Sequence, residues 1–175
     1  MTTEYLMNRE VELVLQALTP ENRLVLRVAL HNGLRVGDVL QLKKSQLRPQ
    51  FWITEQKTKK RRRVSLPKSL LDDLRASTRF SSSPWVFPGR NDPEKHRTRQ
   101  CVWLDVKRAA KAFRLPQNVA PHSFRKVYAV ELLHRYGDIE RVRRALNHSD
   151  CSVTMIYAMA DVQLRARYRK RRGRA

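Results

Sequence analysis

Acidic residues are scarce in this chain. Asp and Glu together number 16 against 37 Lys and Arg, a formal net charge of +21 over 175 residues. Cysteine is scarcer still. Cys101 and Cys151 stand in unrelated contexts, which excludes a disulfide framework and a cysteine-rich zinc site and suits a reducing, cytoplasmic compartment. No apolar run approaches the roughly 18 residues of a membrane span. The opening stretch carries Glu4, Glu10 and Glu12 and no apolar signal core, so secretion is not expected. Only five glycines occur, and none builds a phosphate-binding loop. Carboxylates are not clustered, so a carboxylate-held metal pair has no evident seat. There is no internal repeat.

What remains is enough to fold. The chain is 41% hydrophobic, with three Trp, five Phe and five Tyr. Its length suits one domain better than two. The positive excess calls for a polyanionic partner, and no helix has the polarity expected of a membrane-surface protein.

Local signals give a mainly helical domain with one small antiparallel sheet, an α+β fold. A first helix is expected over Arg9 to Leu18, capped by Asn8. Thr19-Pro20-Glu21 starts a second, which Gly33 closes in a left-handed conformation. Val36 to Leu42 reads as a short third helix. Phe51 to Thr54 and Arg63 to Leu66 read as strands, joined by the polar stretch Lys57 to Arg62. Lys68 to Ala76 is a short helix. Thr98 starts a stronger one, with Val102, Val106, Ala109, Ala110 and Phe113 at helical spacing. Pro121 begins another that ends near Tyr136-Gly137, Asp138 caps a short one through Leu146, and Ser149 precedes a further segment, with Val153, Ile156 and Tyr157, that reads as helical. The domain plan is a single unit, 1–175: N-terminal helices over 1–34, a basic β-hairpin over 51–66, a helical core over 98–160 and a basic tail over 161–175.

Three segments stand out together: Asn32-Gly33-Leu34-Arg35-Val36-Gly37-Asp38, then Pro121-His122-Ser123-Phe124-Arg125, then Leu146-Asn147-His148-Ser149 with Thr154-Met155-Ile156-Tyr157 behind it. His122 to Arg125 is three residues, Arg125 to His148 is 23, and His148 to Tyr157 is nine. In this order, with a basic hairpin between the first and second, the chain resembles the catalytic domain of the tyrosine recombinase (phage integrase) family over nearly its whole length.

The resemblance implies a DNA strand-exchange enzyme acting on double-stranded DNA. Arg35 and Arg125 match the family's arginine pair, and guanidiniums suit the doubly charged transition state of phosphoryl transfer. Tyr157 matches the nucleophile, which forms a 3′-phosphotyrosine. Tyr168 is the next candidate. His148 matches a donor to the phosphate. His122 shares a helix face with Arg125 and is suited to take the tyrosine proton, as an imidazole titrating near working pH. Lys57 best matches the lysine that protonates the leaving 5′-oxygen, with Lys59 and Lys60 as competitors. Asp38 matches an acidic position that would hold Arg35. Lys59, Lys60, Arg61, Arg62 and Arg63 would bind DNA phosphates. The phosphotyrosine conserves the bond energy, so no cofactor and no metal are implied. The C-terminal segment, with Val162, Leu164 and Tyr168, would link subunits into a dimer or tetramer on DNA. Accessory DNA-binding proteins are compatible with this scheme. The protein would be cytoplasmic and nucleoid-associated when bound.

Taken singly, each motif has a plainer reading: a surface arginine, a helix-start histidine, a core tyrosine, a solvated basic turn. Jointly, the spacings favour the family. Three departures stand out. Asn147 replaces a usual glycine, a mild change because asparagine tolerates the left-handed region. Gly37 replaces a usually polar residue and could loosen Asp38. Only about 30 residues precede Arg35, so the chain is similar to short members without the N-terminal clamp domain, or to a fragment of a longer protein. The rival functions are a DNA-binding regulator or architectural protein on the same fold, a type IB-like topoisomerase, and an RNA-binding protein.

Overall fold

Proline at the start and glycine at the end fix the longest helix among the described residues. The structure, a computed structural model, describes residues 4–147. Among these, α6 (Pro121–Tyr136) begins on Pro121 and ends at Gly137, whose φ of 66° only a few residue types adopt comfortably. Its first half is buried nearly all round: Phe124, Val127 and Val130 face the main core while Ala129 packs α7 (Ile139–Leu146) through Val142 and Leu146. Burying such side chains is worth roughly 1.5–3 kcal/mol each for the larger ones. α7 starts as expected, with the Asp138 carboxylate accepting from the N–H groups of Glu140 and Arg141. Asn147 then turns the chain at φ 53°.

α6 packs on α2 (Pro20–Asn32) and α5 (Arg99–Ala112); α1 (Asn8–Ala17) and α3 (Val36–Leu40) pack on both of these, and α4 (Lys68–Thr78) on α2. Two starts differ in detail from the expected caps. Asn8 is the first helical residue of α1, and Met7 takes the cap position, its N–H donating to Glu10 Oε2 at 2.8 Å. Thr19 precedes α2, but its N–H and hydroxyl both donate to Asp105 Oδ2 of α5, at 2.9 and 3.0 Å. That carboxylate also accepts from Asn22 Nδ2 and so fastens α2 to α5. Thr98 caps α5 as its sequence suggests, accepting from Cys101 N–H. Phe113, expected on the buried stripe of α5, stands at the helix end and is partly exposed.

The only sheet among the described residues is the hairpin of β1 (Gln50–Thr54) and β2 (Arg61–Ser65), paired antiparallel with Phe51 opposite Val64 and Ile53 opposite Arg62. Phe51, Ile53 and Val64 face the core. β2 starts two residues earlier than the sequence suggested. The turn is therefore shorter, and Arg61 and Arg62 belong to a strand rather than to the connection. No helix among the described residues is long and apolar enough to cross a membrane.

Candidate active site

Gly33 ends α2 at φ 61° and reverses the chain, so that Arg35 becomes the cap residue of α3. The turn between β1 and β2 folds over α3. The N-terminus of α6 closes the third side. These three segments enclose a cleft of about 180 Å³ lined by Arg35, Gly37, Asp38, Gln56, Lys57, His122 and Arg125, and by Arg99 from the start of α5. Of the candidates drawn from the sequence, Arg35, Asp38, Lys57, His122 and Arg125 thus meet in one place. Lys57, rather than Lys59 or Lys60, is the hairpin lysine on the cleft wall. A larger groove, about 600 Å³, runs between α1, α2, the start of α4 and α6 and contains none of these residues.

Arg125 forms the floor. It is 1% exposed, and its two terminal nitrogens donate to the carbonyl oxygens of Gly33 (2.5 Å) and Leu146 (2.6 Å). A planar, permanently charged guanidinium thereby ties the end of α2 to the end of α7. Arg35 is partly exposed, and its Nη1 donates to Glu55 Oε2 at 2.9 Å.

Glu55 was not singled out by the sequence. It is fully buried, and its carboxylate also accepts from Arg62 Nη1 (3.1 Å) and Thr58 Oγ1 (2.7 Å). Burial pushes this carboxyl up, but the hydrogen bonds from Thr58 and Arg62 and the charge of Arg35 outweigh it and hold the group below the usual glutamate range. Glu55, not Asp38, is therefore the carboxylate that pairs with Arg35. Asp38 instead accepts from the N–H of Gln56 through Oδ1 at 2.9 Å, fastening the hairpin turn to α3. Its Oδ2 is buried without a hydrogen-bond partner. Burial, with the nearby Glu55 charge, raises the Asp38 pKa against the opposing pull of the Gln56 N–H, Arg35 and Arg125. Gly37 does not loosen this contact. A β-carbon there would come 3.2 Å from Gln56 Oε1 and 3.3 Å from Arg99 Cδ, so glycine lets both side chains close over α3.

His122 is exposed by surface area, yet its ring borders the charged cleft. Partial desolvation, followed by the charges of Arg125, Lys126, Arg35 and Lys57, pushes its pKa down to about 4. The imidazole is neutral at working pH, as a proton acceptor must be, but it does not titrate there as the sequence alone suggested.

The basic hairpin divides by strand alternation. Lys59, Lys60, Arg61 and Arg63 are exposed. Arg62 is not a surface residue: it is 8% exposed, pairs with Glu55 and also donates to Asn32 O. Its expected role as a DNA-binding side chain is corrected to that of a buried strut. Arg99, expected only as part of a basic stretch from Lys95 to Arg99 that would hold DNA, lines the cleft itself, a place that a basic residue at a helix start has no distinctive spacing to announce. His148 and Tyr157 lie outside the described residues.

The chain matches the phage integrase family over residues 4–163. It is 30% identical over 135 residues to the probable integrase/recombinase YoeC of Bacillus subtilis, a match covering 75% of this chain and 74% of that protein. It is 31% identical over 168 residues to the tyrosine recombinase XerA of Thermococcus kodakarensis, covering 90% of this chain but 58% of that one. The fold is that of a crystal structure of XerA recombinase, with TM-score 0.75 at 21% identity over 94% of this chain and 63% of that one. It is also that of a lambda integrase dimer bound to a COC′ core site, with TM-score 0.73 at 18% identity over 90% and 49%. The chain belongs to the phage integrase family, that of the tyrosine recombinases.

Proposed function

We propose that this chain is a catalytic domain of a site-specific DNA recombinase, which cleaves and rejoins strands through a 3′-phosphotyrosine. The observation that carries the reading is the meeting of Arg35, Lys57, His122 and Arg125 around one cleft. The Tyr157 phenol gives its proton to neutral His122 as its oxygen attacks phosphorus. Arg35 and Arg125 supply positive charge to the non-bridging oxygens, and His148 donates a hydrogen bond to them. The bond from phosphorus to the 5′-oxygen breaks, and Lys57 protonates that oxygen. Rejoining is the reverse, with a 5′-hydroxyl from another strand. No cofactor or metal enters this scheme. Double-stranded DNA is the partner, held by Lys59, Lys60, Arg61 and Arg63, and subunits join through the C-terminal segment.

The test is a nicked suicide substrate built on the inverted repeats flanking the gene. A covalent adduct should form, persist in excess EDTA and vanish in Tyr157→Phe while DNA binding is kept. Adducts surviving in Tyr157→Phe would move the nucleophile to another residue, and a strict Mg²⁺ requirement would sink the scheme. One observation favours a second reading, a DNA-binding regulator without turnover: Arg125 is 1% exposed, and each of its terminal nitrogens gives one N–H to a backbone carbonyl. On that reading the wild-type protein binds the repeats and never forms an adduct.

A further inference from the structure

Two groups with different tasks border the cleft: Arg35 at the cap of α3 and Lys57 in the hairpin turn. One carboxylate joins their supports. Oε2 of Glu55 accepts from Arg35 Nη1 at 2.9 Å and from Thr58 Oγ1 at 2.7 Å. The backbone of Glu55 also closes the turn: its N–H donates to Lys60 O at 3.0 Å, and its carbonyl accepts from Lys59 N–H at 2.9 Å. On the other side of Lys57, the N–H of Gln56 donates to Asp38 Oδ1 at 2.9 Å. Lys57 thus stands between two neighbours that are each fastened, one to α3 directly and the other through a buried carboxylate to the residue that caps α3. A fully buried acid with three side-chain donors is a stiff node, since leaving any partner unmatched in a dry site is costly.

We propose that Glu55 is a positioning residue, which holds Arg35 and the Lys57 turn as one unit and so sets the distance between the guanidinium on the phosphate and the ammonium on the leaving oxygen. This rests on the recombinase reading above. Neither Glu55 nor Thr58 touches the reacting atoms in it; each acts through a neighbour.

Thr58→Val is the sharper probe, because it removes the side-chain link from Glu55 to the turn and leaves the backbone bonds of Glu55 and its pairs with Arg35 and Arg62 in place. Glu55→Gln is the second, since it removes the charge that holds both arginines. Each is assayed on two nicked suicide substrates, one with the ordinary 5′-oxygen at the scissile position and one with a 5′-bridging sulfur, which leaves without a proton. General acid catalysis is worth about 10²–10⁴-fold, and loosening the acid rather than removing it should forfeit about tenfold. Thr58→Val should therefore cleave the oxygen substrate about tenfold more slowly, and the sulfur substrate within about threefold of wild type. Glu55→Gln should be slower on both, with sulfur restoring only part, because Arg35 is disturbed as well. DNA affinity should stay within about twofold.

A merely structural carboxylate would slow both substrates alike in Thr58→Val, or neither, and either result overturns the positioning role. If Glu55→Gln does not fold, Thr58→Val decides alone. Wild-type protein on the same substrates separates the two levels. No wild-type adduct, or an adduct in Tyr157→Phe, strikes the recombinase reading itself. A normal wild-type adduct without sulfur-selective rescue strikes only this inference.

Discussion

The ring of Tyr128 occupies the space a β-carbon on residue 33 would need: built on Gly33, that carbon would come 2.2 Å from Tyr128 Cδ1. The same glycine holds φ 61° and offers its carbonyl to Arg125. Gly33→Ala should therefore meet two separate penalties. The left-handed backbone costs roughly 1–2 kcal/mol, and the overpacked ring roughly 1–3 kcal/mol more. Urea denaturation of Gly33→Ala, Tyr128→Ala and the double variant will separate them. The double variant should recover the packing part and leave the backbone part.

The two faces of β2 should behave differently. Arg62→Ala leaves a buried Glu55 short of a partner, a loss of about 3–5 kcal/mol in stability. Arg61→Ala and Arg63→Ala should change stability by less than about 0.5 kcal/mol. Each should instead lower the salt dependence of DNA binding, by about 0.9 in the slope of log affinity against log salt. Equal stability losses at all three positions would contradict the burial of Arg62.

Charge around the cleft sets a pH signature. His122 should stay neutral down to about pH 4, so its ring carbon and nitrogen resonances should not titrate between pH 5 and 8. In the unfolded chain the same ring gains its proton near 6.5. As pH falls from there, the unfolded state binds a proton that the folded state refuses, and stability declines until about pH 4. His31, lowered by burial and by Arg135, acts in the same direction, which is why the resonance and not the melting curve is the decisive measurement. The rate of adduct formation should show no inflection near pH 6.5 that disappears in His122→Gln.

The tail should govern assembly. Deleting residues 162–175 removes Val162, Leu164 and Tyr168 with the basic run, and should abolish cooperative binding to paired half-sites and weaken binding together. Deleting only 169–175 should keep cooperativity and mainly flatten the salt dependence. Gel-shift titrations on one and two half-sites, at several salt concentrations, give both numbers. Tight, sequence-specific binding to an isolated half-site would contradict this division.

The sequence told most where a residue type allows few conformations. Pro121 and Gly137 bounded α6, Asp138 started α7, and Gly33 placed Arg35. It told least where side-chain charge and backbone role disagree. Arg61 and Arg62 looked like turn residues because cations usually face water, yet alternation along β2 turns one of them inward. Glu55 stayed hidden because a lone acid in a basic hairpin carries no motif, and only folding brings the distant Arg35 to the carboxylate that Thr58 and Arg62 also reach. Asp38 was expected beside Arg35 from the resemblance alone, and a motif cannot say whether a carboxylate meets a guanidinium or a backbone N–H; here it meets the N–H of Gln56.

Arg125 carries a consequence for how such genes decay. Because it bolts the ends of α2 and α7 together, any descendant that still folds is under pressure to keep it, active or not. Its retention in a degenerate copy reports folding rather than turnover. Lys57 is exposed and is free to drift once chemistry is no longer selected. In a lineage losing its activity the lysine should disappear long before the arginine.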